Sequence, residues 1–411
     1  MTLLSDLKTL NREQRAALVA SFLGWTLDAF DFFLLVFVVK AIADDFHTEV
    51  KAVTFAILLT LAMRPLGAFV FGRLADRFGR KPILMLDVLL FSALELASAF
   101  APSLAVLLVL RALFGFAMGG EWGIGASLAM ESVPARTRGA VSGLLQVGYP
   151  FGYLIAAVVY YALFETIGWR GMFIVGVLPA LLVLYIRMHV HESPAWQRMA
   201  PTEKRAGMLE SLRGHWGLLF YVVVLMTAFN FFSHGTQDLY PTFLQVQHGL
   251  SPHAVGLIAV IYNIGAILGG LSFGIWSERI GRRRAIIIGA LAALPTIPLW
   301  AFSASPVLLA AGAFAMQFMV QGAWGVIPAH LNELSPAGIR GTFPGFAYQL
   351  GNLLAAVNAT LQANIAATHG GNYGLALALV AISVAIAVAI LTALGSEARG
   401  EALSAALRPS R

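Results

Sequence analysis

The sequence predicts an all-α membrane protein, with twelve transmembrane helices in two pseudo-symmetric six-helix bundles. Three observations predict it. Charged residues make up only 12% of the chain, whereas a soluble chain carries about 25%, and mean hydropathy is +0.78. Apolar runs of the roughly 20 residues needed to cross a bilayer recur from one end to the other. Separated motifs also repeat at one constant offset, the mark of a duplicated unit.

The first apolar run begins near Ala16 and continues past Val39. It is too long for the apolar stretch of a cleaved signal peptide and carries Asp28 and Asp31, so it reads as a retained spanning helix. Asn11 and Gln14 ahead of it have the spacing of a capping box. Further spans are expected at roughly 52–72, 82–101, 104–127, 139–163, 171–190, 216–245, 254–275, 285–302, 306–328, 342–366 and 372–394. The polar stretch from His191 to His215 divides the chain into an N-terminal bundle (1–190), a cytoplasmic linker (191–215) and a C-terminal bundle with a short tail (216–411). Ser193-Pro194 is a helix-start pair, so a short amphipathic helix on the membrane surface is expected there. In the fifth span, Gly148-Tyr149-Pro150-Phe151-Gly152 is read as a bend serving a conformational change, in preference to a site of close helix approach.

Net charge is +6 and the pI is near 9.7, but the basic residues sit in short loops between apolar runs. That pattern sets membrane topology and argues against nucleic acid. With the N-terminus taken as cytoplasmic, only Lys40, Lys51 and Arg170 fall on the opposite side, while Arg64 and Arg111 lie within spans. The positive-inside rule therefore puts both termini in the cytoplasm. There are no cysteines, which excludes disulfides and thiolate chemistry. No Ser-His-Asp set, metal-ligand cluster or P-loop is present, so neither enzyme, metal nor cofactor is expected. A compact loop plan and short termini suggest a bacterial inner membrane, with the monomer as the working unit.

Gly72-Arg-Leu-Ala-Asp76-Arg-Phe-Gly79-Arg80 matches Gly274-Ile-Trp-Ser-Glu278-Arg-Ile-Gly281-Arg282 at an offset of 202 residues. At the same offset Trp122-Gly123 matches Trp324-Gly325, and Glu131, Pro134, Arg138 and Gly139 match Glu333, Pro336, Arg340 and Gly341. Parallel six-helix repeats are the plan of the major facilitator superfamily. The loop Gly72–Lys81, its degenerate copy Gly274–Arg284, Arg111 with Gly115, and Glu192-Ser193-Pro194 all resemble motifs of that superfamily. Gly72, Asp76, Arg80, Gly274 and Glu278 are accordingly assigned to gating, Asp76 facing a helix N-terminus and the arginines reaching carboxylates or lipid phosphates.

Span seven contains Asn230-Phe-Phe-Ser233-His234-Gly-Thr236-Gln237-Asp238-Leu-Tyr-Pro241-Thr242. Ionisable side chains are costly in hydrocarbon and normally face a cavity. Asn230, His234, Gln237 and Asp238 are three and four apart, hence on one face, and Pro241 is expected to break the helix beyond them. This run resembles the signature of the lactate and pyruvate permeases of the sialate:proton symporter family, as in the yeast carboxylate permeases, at every specified position. Arg64 and the run Tyr348-Gln349-Leu-Gly351-Asn352 also resemble family positions along the substrate path. The resemblance implies proton symport of a small monocarboxylate. The sialic-acid branch of the family typically carries two further central spans, which this chain lacks.

The chemistry of these residues agrees with that expectation. A carboxylate crossing a low-dielectric path needs a cation or several donors. Arg64 supplies a planar fork, and Asn230, Gln237, Gln349 and Asn352 supply amides. His234 and Asp238 are candidates for the coupling proton, binding as a pair; pinning span seven to a neighbour is the competing structural reading. Two readings stand for Asp28 and Asp31: a second protonation site, or ion pairs with Arg64 and Arg111. Glu121 is expected to neutralise an arginine and Arg111 to be a structural ion-pair partner. Asp87 and Glu95 are placed near the membrane ends without a role. Trp25, Phe30, Tyr153, Trp324 and Phe346 are candidates for shaping the cavity. A dicarboxylate, aromatic or sialic acid, or a receptor that no longer transports, remain the alternatives.

Overall fold

A computed structural model describes residues 8–201, 210, 212, 214–400 and 403, and the regular elements among them are helices. The first half contains α1 (Arg12–Asp45), α2 (Val50–Phe78), α3 (Arg80–Ala99), α4 (Leu104–Met118), α5 (Glu121–Ser132), α6 (Arg138–Val175) and α7 (Ala180–His189). The short α8 (Pro194–Arg198) follows. The second half contains α9 (Trp216–Gln237), α10 (Tyr240–Val246), α11 (Pro252–Ile280), α12 (Arg282–Ala293), α13 (Ile297–Ala301), α14 (Pro306–Leu334), α15 (Phe343–Ala355), α16 (Asn358–Thr368) and α17 (Tyr373–Leu394). Residues 202–209, inside the linker expected to form a surface helix, and most of the tail after 400 lie outside the described residues.

Among the described residues, ten helical segments are long and apolar enough to cross a membrane. One of them, Ala135–His189, has 55 residues; at 1.5 Å per residue it would measure about 80 Å, more than twice the roughly 30 Å hydrocarbon core. It turns back at Gly168, where φ is 61°, and so accounts for spans five and six. The expected span at 342–366 is built from α15 and α16, each shorter than a bilayer. The all-α, twelve-span plan therefore holds, with some spans assembled from pieces. Side chains such as Val158 (66% exposed) and Val307 (75% exposed) form an apolar outer surface suited to lipid.

Local signals explain several helix starts. Asn11 and Gln14 make both bonds of the capping box on α1, and Ser193 caps α8 with Pro194 in its first turn. At Gly148–Gly152 the dihedrals stay helical, with Pro150 inside the helix. Within α6 the non-helical dihedrals fall at Gly168, and a Cβ on Gly152 would lie 2.3 Å from the Thr26 carbonyl oxygen. Those glycines let α1 and α6 touch backbone to backbone.

The duplication is visible contact by contact. A Cβ on Gly67 of α2 would lie 1.8 Å from the Phe116 oxygen; its counterpart on Gly269 of α11 would lie 2.0 Å from the Phe318 oxygen. Arg80 grips Glu131 through Nε (3.2 Å) and Nη2 (3.0 Å), and Arg282 grips Glu333 the same way at 3.0 and 3.0 Å. Gly79 (φ 110°) and Gly281 (φ 99°) make the two equivalent turns in a backbone region that side chains avoid. Glu192 accepts from the amides of Arg80 and Lys81, as Glu397 does from those of Arg282 and Arg283.

The halves meet along reciprocal seams. Gly72 of α2 abuts Gly341 and Thr342 ahead of α15, and Gly274 of α11 abuts Gly139 and Gly143 of α6. Asp76 accepts from Gly341 N (2.7 Å), Thr342 N (3.0 Å) and Thr342 Oγ1 (2.5 Å), and pairs with Arg80 at 3.1 Å. A carboxylate against helix-terminal amides is favoured by the helix dipole. Its repeat counterpart Glu278 accepts from Gly139 N and pairs with Arg282 at 2.8 Å. Ser127 adds a bond to the Arg340 oxygen (2.6 Å) and Ser142 one to the Gly325 oxygen (2.7 Å). On the side bearing the basic loops, the two halves are thus closed onto each other.

Candidate substrate and proton site

Above those seams the interior carries two polar groups, one in each half. In the second half, α9 presents Asn230, His234 and Asp238 on one face, because a four-residue step nearly completes a turn. His234 is hydrogen-bonded through Nδ1 to Asp238 Oδ1 (3.2 Å) and through Nε2 to Asn352 Oδ1 of α15 (2.9 Å). The side chains of His234 and Asp238 are 33% and 39% exposed. Asp238 lies where α9 ends, and the chain resumes as α10 with Pro241 in its first turn. The helix therefore breaks ahead of the proline.

The amides differ in what they do. Gln237 donates to Gln317 Oε1 of α14 (2.6 Å), and Gln317 in turn donates to Thr236 Oγ1 (3.0 Å). Gln321, one turn further along α14, donates to Ser233 (3.3 Å). Asn230 donates back to the Met226 oxygen of its own helix (2.8 Å) and to the Tyr348 oxygen (3.5 Å). Gln349 is 1% exposed and neither side-chain polar atom makes a hydrogen bond.

In the first half Arg64 of α2 pairs with Asp28 of α1 at 2.9 Å, with side-chain exposures of 4% and 0%. Its Nε is buried without a partner. Arg111 of α4 pairs with Glu95 of α3 at 2.7 Å and donates to Ser98. So of the two readings for the α1 acids, Asp28 takes an ion pair with Arg64, whereas Asp31 is buried and makes none. Glu121 is within electrostatic reach of Arg64 but makes no direct ion pair with it; it packs against Gly24 and its carboxylate oxygens make no hydrogen bond. Asp87 and Glu95 are not near the membrane ends. Eight residues of helix span about 12 Å, less than half of a bilayer, and both side chains are buried.

Between the two polar groups lies an aromatic layer. Trp25, Tyr149, Trp122 and Trp324 surround or approach Tyr348, with Trp122 and Tyr348 centroids 4.7 Å apart. Phe30 is buried among the apolar residues of the first half, and Phe346 stacks edge-on with Phe69; Tyr153 packs on Phe33. The Tyr149 phenol is within electrostatic range of Arg64 and Asp28 on one side and Asp238 on the other. Tyr149 thus feels charged groups of both halves.

A model of the Major Facilitator Superfamily matches residues 21–250 and again 223–409. The chain belongs to the Major Facilitator Superfamily. Its fold agrees with the solved structure of the proton:xylose symporter XylE, at a TM-score of 0.79 over 95% of this chain and 98% of that one, with 19% identity. It is 31% identical over 371 residues to a Saccharomyces cerevisiae protein named carboxylic acid transporter protein homolog, covering 84% of this chain and 60% of the yeast protein. It is 30% identical to the Escherichia coli K12 sialic acid transporter NanX, covering 84% of this chain and 85% of that protein. The named relatives are transporters, not enzymes, and carboxylic acids recur among what they are named for.

Four polar residues of this superfamily member, Asp87, Glu95, Gln317 and Gln321, were placed without a role or missed by sequence reasoning. For the glutamines a signal exists. At the repeat offset they stand opposite Gly115 and Gly119, where the first half uses the absent side chain to pack α4 on α2. Polar side chains that replace packing glycines in only one half mark where the two halves have diverged in task.

Proposed function

We propose that the chain is a proton-coupled symporter of small monocarboxylates such as lactate and pyruvate, working by alternating access. The observation that carries the reading is His234, held between Asp238 and Asn352 and reached by solvent, with the buried Arg64–Asp28 pair in the other half. An anion needs a cation at close range in a low-dielectric interior, and the guanidinium of Arg64 has N–H groups left over from its bond to Asp28. Gln237, Gln349, Asn230 and Asn352 are the donors for the remaining oxygens. His234 with Asp238 carries the coupling proton, because a histidine between a carboxylate and an amide holds or releases a proton as its neighbours change charge. One proton with one anion makes the loaded site electrically neutral, so its crossing avoids moving a net charge through the membrane.

Rocking of a 1–190 bundle against a 216–411 bundle about residues 191–215 exposes the site alternately. The contacts of Asp76, Glu278 and the facing glycines break and reform in each cycle. Both termini are cytoplasmic, the membrane is a bacterial inner membrane, and the monomer suffices. The family names among the relatives support an acid as the substrate. A larger acid is the second reading, because a relative named a sialic acid transporter aligns over 84% of this chain.

Uptake of labelled L-lactate into proteoliposomes tests the proposal. Accumulation driven by an inward proton gradient, competed by pyruvate and abolished by a protonophore, is expected. The His234→Ala variant should lose gradient-driven uptake; normal coupled uptake by that variant sinks the assignment. Competition by sialic acid but not pyruvate favours the second reading.

A further inference from the structure

We propose that Asp87 and Glu121 form a proton store in the first half, distinct from His234 and feeding Asp28. The inference rests on the proton-coupled reading above. The interior of this half contains Asp28 and Asp31 on α1, Asp87 and Glu95 on α3 and Glu121 on α5, each 0% exposed. Against them stand two guanidiniums, Arg64 on α2 and Arg111 on α4. Arg64 is taken by Asp28 and Arg111 by Glu95. Among the described residues the carboxyl oxygens of Asp31, Asp87 and Glu121 make no hydrogen bond; Arg111 and Arg64, already paired, reach Asp31 and Glu121 only electrostatically. A bare buried carboxylate is disfavoured by several kcal/mol, and such a group takes up a proton instead. Charge balance therefore leaves protons resident on this cluster.

The space around them is built. A Cβ on Gly24 would lie 2.2 Å from Glu121 Oε1, and one on Gly120 would lie 3.2 Å from Asp87 Oδ1. The hydroxyl of Ser21 on α1, fully buried and without a partner, lies on the same side as Glu121 of α5, since both border Gly125; it offers an acceptor to a neutral acid. Asp28 acts electrostatically on both Asp87 and Glu121, while Asp31 lies toward Glu95 and Arg111. Among the described residues no group of three or more acidic or histidine side chains is placed to hold a metal ion.

The transfer step follows from the ion pair. When the substrate carboxylate engages Arg64, Asp28 loses part of its counter-charge and accepts a proton from the carboxylic acid of Glu121 or Asp87. One O–H bond breaks on the donor and one forms on Asp28, with the cluster's total charge unchanged. The donor carboxylate, now facing Arg64, is refilled from whichever side of the membrane is open.

Glu121→Gln and Asp87→Asn keep a neutral side chain of the same shape, so exchange of internal labelled for external unlabelled L-lactate should stay within about twofold of wild type. Because His234 still carries the one coupling proton, the steady-state ratio should be unchanged, but the initial rate of gradient-driven uptake should fall by about tenfold, the effect of about 1.4 kcal/mol, since Asp28 is no longer supplied when substrate engages Arg64. An unchanged initial rate in both variants overturns the store while leaving proton symport standing. Accumulation driven by sodium without a pH gradient overturns it also. If a variant loses exchange as well, infrared spectroscopy decides: the protonated-carboxyl C=O band must lose intensity in that variant, and an unchanged band refutes the proposal. Absence of gradient-driven lactate uptake by the wild type would instead bring down the function proposed above.

Discussion

Asp76→Asn is the sharpest test of how the closed side is held. The carboxylate is fully buried and accepts from Gly341 N, Thr342 N and Thr342 Oγ1 across the seam between the halves. A hydrogen bond to a charged group contributes about 1.5–3 kcal/mol. Asparagine keeps one acceptor oxygen, but its NH₂ then points at donors. Arg80 is not stranded by the change, because Glu131 still grips it at 3.0 Å, so the larger penalty for an orphaned buried charge does not apply. A loss of about 3 kcal/mol from the closed arrangement corresponds to about a 150-fold shift between states. The readout is clean because the chain has no cysteine. Ser127→Cys places a thiol where a buried hydroxyl now meets the Arg340 oxygen at 2.6 Å, and its alkylation by a polar maleimide reports opening of this seam. Adding Asp76→Asn should speed alkylation by about 100-fold, within the usual range of conformational coupling. Glu278→Gln, whose side chain is 16% exposed, should speed it by only about fivefold, at the low end of that range. A change under about threefold for Asp76→Asn in folded protein would refute the latch, since bonds of this strength would then not be limiting the opening.

Three further outcomes are expected. Glu95→Gln strands the buried Arg111 and should destabilise the fold by about 3–5 kcal/mol, read as the midpoint of unfolding in detergent; pairing it with Arg111→Met should restore most of the loss, and no restoration would show that the pair is not the cause. Gly123→Ala puts a Cβ 2.8 Å from the Gly345 Cα, and backbone on both sides leaves nothing flexible to yield. Overpacking of about 1–3 kcal/mol should raise Ser127→Cys alkylation, and unchanged protection would mean the seam is looser than drawn. Gln317→Leu removes the acceptor that holds Gln237 at 2.6 Å; a net hydrogen bond of about 1 kcal/mol predicts a several-fold higher KM for substrate with the maximal rate little changed, and a reduced rate at unchanged KM would refute a binding role.

The parts of this molecule legible in the sequence are those written in period and repetition. Apolar runs marked the spans, and the constant offset from Gly72 to Gly274 foretold a repeat that the structure carries down to the fork of Arg80 on Glu131 and of Arg282 on Glu333. Helical spacing put Asn230, His234 and Asp238 on one face, where the structure has them, joined to Asn352 from another span. The pairing of buried charges was not legible, for a physical reason. A helix apolar on nearly every side has no amphipathic stripe to set its rotation, so the partner of Arg64 or Arg111 cannot be read from either residue's own helix. Asp28, Asp31 and Glu121 were equal claimants, and the third-span acids were discounted although helix rise alone forbids both from reaching the membrane ends. The Gly148–Gly152 run was ambiguous for another reason: glycine permits both bends and contacts, and the close approach to α1 shows only with the neighbouring helix in place. What composition does say is that acids outnumber arginines inside the first half. That excess requires either protons or a cation, and it is visible before any coordinates. The structure adds that three of those acids make no hydrogen bond among the described residues, which extends the question of coupling from one histidine to a buried network in the other half.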